Sequence, residues 1–172
     1  MISARKMGVL LAALVLSGCT SPIALKAHFE PRDVAWFYAR GTNTLEGSAI
    51  ARAYNGNAKT CAALPVTLFP VSPYAKERML ALYGSVEEGF NPALMGRPAD
   101  FENDDPTYLK TAKTTRCDAR GRFSFNELPD GDYFLVSEVT WHDRRAGLPQ
   151  GGYLMRRLQV STGETKEVLL AH

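Results

Sequence analysis

The stretch RCDARGRFSFNELPDGDYFLV, residues 116–136, decides how the rest of the chain reads. It packs a cysteine, four acidic side chains, three arginines and two glycines into 21 residues. Such crowding suits a metal or catalytic site, and it equally suits a run of tight turns. In DARG, 118–121, an Asp at the first turn position can bond backbone amides two residues on, and Gly fits the last position. RFSF then alternates, placing Phe123 and Phe125 on one face. In NELPDGDY, Pro129 presets φ, and Asp130-Gly131 supplies the positive φ of a tight reversal. A strand is expected from Tyr133 to Trp141, with Tyr133, Leu135, Ser137, Val139 and Trp141 on one face. Phe134 and Val136 make its other face apolar too, so the strand should be central and covered on both sides. Each charged residue of the stretch then makes a turn, flanks one or faces water. No C-x-x-C, H-E-x-x-H or G-x-S-x-G pattern lies beyond the leader.

Working outward, LEGSAIARAY (45–54) reads as a first strand ending in the turn YNGN (54–57). LPVTLFP (64–70) reads as a second, bounded by prolines. A helix is predicted over 73–83, with Ser72 as N-cap, Pro73 at the first position and Gly84 at the stop. Its docked face is expected to carry Met79, Leu82 and Tyr83. TYLKTAKTTRC (107–117) alternates and reads as a third strand. HDRRAGLPQGG (142–152) reads as a loop. YLMRRLQV and TKEVLLAH follow as two last strands joined by STGE, the candidate for a closing hairpin. DVAWFYARG (33–41) predicts a short helix capped by Asp33; Trp36, Phe37 and Tyr38 pack on the domain edge or touch a membrane interface, and packing is the preferred reading. Three prolines and two glycines make 85–106 an irregular insertion.

The crowded stretch resembles the signature of carboxypeptidase regulatory-like domains, the transthyretin-like or prealbumin-like β-sandwiches. Their pattern, Asp-x-x-Gly-x-Phe-x-Phe then Leu-Pro-x-Gly-x-Tyr, is met at Asp118, Gly121, Phe123, Phe125, Leu128, Pro129, Gly131 and Tyr133. The resemblance implies an all-β, transthyretin-like Greek-key β-sandwich over 44–172, here with one short docked helix. It also implies an accessory module without catalysis or cofactor of its own. The helix and the 85–106 insertion depart from the compact family pattern. The transthyretin-like hydrolases that do catalyse end in Tyr-Arg-Gly-Ser; this chain ends LLAH, so that activity is not implied.

The front of the chain reads as a leader. Arg5 and Lys6 precede a ten-residue apolar run, too short for the roughly 20 residues that cross a bilayer. LSGC, 16–19, resembles the bacterial lipobox. The resemblance implies a signal peptide over 1–18 and a diacylglycerol, carrying acyl chains such as palmitate, on Cys19. An ordinary secretory leader is the alternative. Residues 19–43 are then a lipidated tether with a short helix. Two or three acyl chains would hold the protein on a membrane without crossing it. Thr20 in place of the inner-membrane retention Asp favours the outer membrane, facing the periplasm.

Removing the leader from 172 residues leaves 154, enough for one core, with 18 basic and 18 acidic side chains. That balance gives no basic face for nucleic acid. Cys61 and Cys117 are an even pair in an oxidising compartment. They form a disulfide or remain two buried thiols, and the compartment favours the disulfide. Glu102, Asp104 and Asp105 lack the spacing of a calcium loop and read as a solvated acidic loop. His142 beside Asp143 has no third partner for acid–base work. Arg144, Arg145, Arg156 and Arg157 would gather into one anion-binding patch if the last two strands form a hairpin. The expected function is that of a membrane-anchored, non-enzymatic envelope lipoprotein, a structural or protein-interaction module. Its alternative is a module binding glycan or lipopolysaccharide; a secretion-system membrane-complex lipoprotein or a hydrolase ranks lower.

Overall fold

Glycine, proline and aromatic placement set the order of elements before any site forms. The computed structural model describes residues 21–102, 104–142 and 147–172. The first element, Pro31–Tyr38, is a 3-10 helix rather than an α-helix capped by Asp33. Pro31 opens it, Glu30 stands at the N-cap, and Asp33 falls in the first turn. Three residues per turn put Val34 and Phe37 on one line, and both are fully buried. Trp36 and Phe37 pack against Tyr133 at ring-centroid distances of 5.3 and 5.7 Å, so this aromatic run closes one end of the domain. Tyr38 is exposed.

Two sheets form the body. In the first, β1 (Asn43–Arg52) is central. It pairs antiparallel with β2 (Ala58–Thr60) and β6 (Arg122–Leu128), and parallel with β9 (Thr165–Ala171). The β9 register covers β1 residues that also pair with β6 and β2, so β9 occupies one side of β1, and β6 and β2 follow each other on the other. The second sheet runs β4 (Glu88–Pro92), β8 (Pro149–Val160), β7 (Gly131–His142), β3 (Pro65–Pro70), β5 (Lys113–Arg116), all antiparallel. The fold is an all-β sandwich with one short α-helix among the described residues. Leu45, Ala49, Val66, Leu68, Leu135 and Val139 fill the space between the sheets.

Strand β7 is covered on both faces, as its sequence predicts. Tyr133, Leu135 and Val139 enter the sandwich core, while Phe134 belongs to a second cluster on the outer face. That cluster lies under α1 (Pro73–Tyr83). Ser72 Oγ accepts from the Ala75 amide, and Gly84 ends the helix at φ 73°. Met79 is buried as expected, with Tyr74, Ala75 and Arg78 of the preceding turn; Leu82 and Tyr83 are only half-buried. Arg78 is the surprise on this face. Its side chain is 5% exposed and ion-pairs with Asp104. Its guanidinium carbon lies 4.1, 4.8 and 5.6 Å from the ring centroids of Phe101, Tyr108 and Tyr74. Asp104, read as part of a solvated acidic loop, is therefore committed to a buried arginine.

Several expectations are corrected. Within 85–106, read as irregular, Glu88–Pro92 is a strand because it pairs along β8. Of 107–117 only Lys113–Arg116 is strand; Leu109–Thr111 is a 3-10 turn that buries Tyr108 against Phe69, ring centroids 5.3 Å apart. Residues 142–152 are not all loop, since β8 begins at Pro149. The described part of the tether is docked. The Ile23 amide donates to Asp100, Phe29 is buried, and the Glu77 carboxylate accepts from the Lys26 and Ala27 amides. The last two strands do not form a hairpin; β8 lies in one sheet and β9 in the other. Likewise 126–133 carries the chain from β6 to β7 across the sandwich. Positive φ falls at Glu127, and Gly131 is required for room, because a Cβ there would sit 2.3 Å from the Trp36 ring.

The disulfide is present, linking Cys61 after β2 to Cys117 after β5, with Cα atoms 5.7 Å apart. It therefore staples one sheet to the other. The DARG turn also forms as read. The Asp118 carboxylate accepts from the Arg120 and Arg122 amides at 2.8 and 2.9 Å, and Gly121 has φ 76°.

Candidate functional site

The sandwich is open along the side where edge strands β4 and β9 face each other. A cleft of about 700 Å³ runs there, floored by Phe90, Leu154 and Leu170 and flanked by Glu88, Arg156 and His172. At one end it meets a recess of about 420 Å³ lined by Arg52, Tyr54, Leu94, Trp141, Gln150 and His172. Phe90 and His172 line both, so the two form one groove.

Local sequence explains why aromatic rings are seated here. Gly151 and Gly152 open β8, and glycine inside a strand usually marks a close approach. A Cβ on Gly151 would lie 2.6 Å from the Trp141 ring, and that residue has φ 77°. A Cβ on Gly152 would lie 2.8 Å from the Phe90 ring and 2.3 Å from the Asn91 carbonyl oxygen. The glycine pair thus lets Trp141 and Phe90 lie against the strand backbone. His172 stacks on Phe90, with ring centroids 3.8 Å apart and planes 13° from parallel. It is held there because its amide donates to the Ile50 carbonyl and its carbonyl accepts from the Arg52 amide. Tyr54 stands fully exposed at the β1–β2 turn.

The neighbouring loop is ordered by a buried asparagine. Asn91 Nδ2 donates to the Arg97 carbonyl and Asn91 Oδ1 accepts from the Arg97 amide, both at 2.8 Å. Arg97 Nη1 donates to the Ala81 carbonyl on α1. These bonds fix the turn that carries Leu94 into the groove. Beside it, burial raises the Tyr153 hydroxyl above its ordinary range.

Of the four arginines singled out in the sequence, the two that are described, Arg156 and Arg157, do not share a face. Arg144 and Arg145, with Asp143, lie outside the described residues. Arg156 and Arg157 are consecutive on a strand and point to opposite faces. Arg157 is held by Asp132 at 2.9 Å and Glu87 at 3.0 Å, and the hydrogen bond to Asp132 chiefly raises its pKa. Arg156 faces the cleft, where Nη1 donates to the Leu169 carbonyl at 3.2 Å. Arg52, Tyr54, Phe90 and His172 were not singled out for function. The one signal for them was the Gly-Gly pair after Pro149, which reads as loop until β8 is seen to begin there.

No family model matches the chain, and a comparison with curated proteins finds no match. Among solved structures, the chain is similar to a "putative carbohydrate binding protein" from Pseudomonas aeruginosa. The TM-score is 0.72 at 23% identity, covering 85% of this chain and 99% of that one. It is also similar to the major pilin subunit of Bacillus cereus, at TM-score 0.41 and 14% identity over 76% of this chain and 29% of that one. The minor pilin of Streptococcus agalactiae gives 0.39 and 14% over 77% and 44%. The first similarity supports the all-β sandwich.

Proposed function

We propose that this chain is a non-catalytic carbohydrate-binding module of the bacterial cell envelope, held on the outer membrane by acyl chains at Cys19. The observation that carries the reading is the groove in which Trp141 and Tyr54 stand beside Arg52, Gln150 and His172, the last seated by its stack on Phe90. Sugar rings offer apolar C–H faces and a rim of hydroxyls. Aromatic faces take the first, and a few placed polar groups orient the second. The Pseudomonas neighbour's description as carbohydrate-binding agrees with this reading. Membership of the carboxypeptidase regulatory-like domains is part of the same proposal, resting on the 118–133 signature.

Catalysis is no part of it. Glycoside hydrolysis ordinarily uses two carboxylates flanking the bond. The groove carries Glu88 alone among its described residues.

One observation favours the second reading, a protein-interaction module. Among the described residues β9 pairs with β1 only, leaving an edge to which an extended peptide could add.

Titration calorimetry of the purified protein against envelope glycans tests the proposal. Binding that is lost in Trp141→Ala and Phe90→Ala supports it. Glycan-independent capture of a protein partner, abolished by proline placed in β9, overturns it in favour of the second reading. The anchor is tested separately: Cys19→Ala should leave the protein unprocessed or free of the membrane.

A further inference from the structure

The groove has a charge as well as a shape. Arg52 lines the recess and Arg156 the cleft, and Glu88 is the one acidic side chain among the described residues that line them. Among the described residues neither Arg52 nor Arg156 has a carboxylate within 4.0 Å, whereas Arg40 and Arg78 each have one and Arg157 has two. Arg156 uses Nη1 for the Leu169 carbonyl and keeps other donors for a ligand. A guanidinium offers a planar fork that matches a carboxylate. Here it does so over the apolar floor of Phe90, Leu154 and Leu170, where a charge contact is screened less than in bulk water.

We infer that the groove selects acidic polysaccharide, a chain of sugars bearing carboxylates, over neutral glycan. The inference rests on the carbohydrate reading above and adds the ligand's charge and its length. Length follows because Arg52 lines the recess and Arg156 the cleft that joins it, so an extended chain with repeated carboxylates meets both arginines. Trp141 and Tyr54, which line the same groove, would then take the ring faces of the sugars.

The experiment compares three polymers with the full-length, detergent-solubilised protein: polygalacturonate, neutral dextran and polyglutamate. Polygalacturonate is expected to bind at least tenfold tighter than either of the others and to weaken as salt is raised. Arg52→Gln and Arg156→Gln should each reduce that binding about tenfold with unchanged thermal melting, since both side chains are exposed. If dextran binds as tightly as polygalacturonate, the charge inference fails and the carbohydrate reading stands. Equal binding of polyglutamate makes the groove a general polyanion site and overturns the sugar part. If none of the three binds, both the inference and the reading beneath it fall.

Discussion

Arg156 and Arg157 are neighbours in sequence and opposites in role. Arg157 bridges Asp132 on β7 and Glu87 before β4, while Arg156 opens onto the groove. Replacing Arg157 by Ala removes two partly exposed ion pairs, and pairs of this kind contribute about 0.2–1 kcal/mol each. The expected result is a lower urea midpoint with polysaccharide binding retained. Arg156→Ala should give the converse, unchanged stability and weaker binding, and the two variants melted and titrated side by side check the division.

The glycine pair of β8 tests how the groove is built. Gly152→Ala puts a methyl group against the Asn91 carbonyl and the Phe90 ring. The strand backbone cannot yield freely, because β8 is paired on both sides by β4 and β7. Overpacking of this kind costs about 1–3 kcal/mol. Thermal melting should show that loss, and ligand affinity should fall with it because Phe90 is displaced.

What the sequence made legible followed from local rules. DARG forms its turn, Ser72 and Gly84 bound α1, and the two-sided apolarity of 133–136 places β7 in the middle of its sheet. The groove was not legible, because its residues come from the ends of β1, β4, β7, β8 and β9, separated by up to 120 positions between Arg52 and His172. Strand partners were the missing information. Alternation assigns faces without saying which sheet a strand joins, so β8 and β9 looked like a hairpin. Arg78 was invisible for a different reason. A charged residue on an amphipathic helix is expected to face water, and only the tertiary meeting with Asp104 and three aromatic rings makes its burial tolerable.

Arg78 therefore offers a sharp stability test. Breaking a fully buried ion pair costs about 3–5 kcal/mol; Asp104 is one-third exposed and can rehydrate, so Arg78→Ala should cost roughly 2–3 kcal/mol. The change should also loosen the docked front segment, because Arg78 covers Phe101, and Phe101 pairs with Ile23. Hydrogen exchange of the Ile23 and Glu102 amides is the specific readout. Faster exchange at those two sites, ahead of the sheet amides, is expected.

The disulfide closes a 56-residue separation between the two sheets. The chain-entropy relation gives about 4 kcal/mol for a loop of that length, as an upper figure. Cys61→Ala/Cys117→Ala should lower the urea midpoint by up to that equivalent. Dithiothreitol should have a comparable effect on the native protein and none on the double variant.

Asp118 gives a pH test with a defined sign. The amides of Arg122 and Arg120 bond its carboxylate and hold its pKa below the ordinary carboxylate value. A lowered folded pKa means that the unfolded chain binds the proton more readily. The stabilisation is therefore fully present above the unfolded value of about 3.9 and is lost as pH falls through the folded one. Asp118→Asn keeps an oxygen that can accept both amides but cannot titrate. Urea midpoints measured from pH 6 down to pH 2 should fall less steeply below pH 4 in Asp118→Asn than in the native protein. Parallel curves would mean that the turn is held by Gly121 and the backbone bond from its amide to Asp118, with the carboxylate adding nothing.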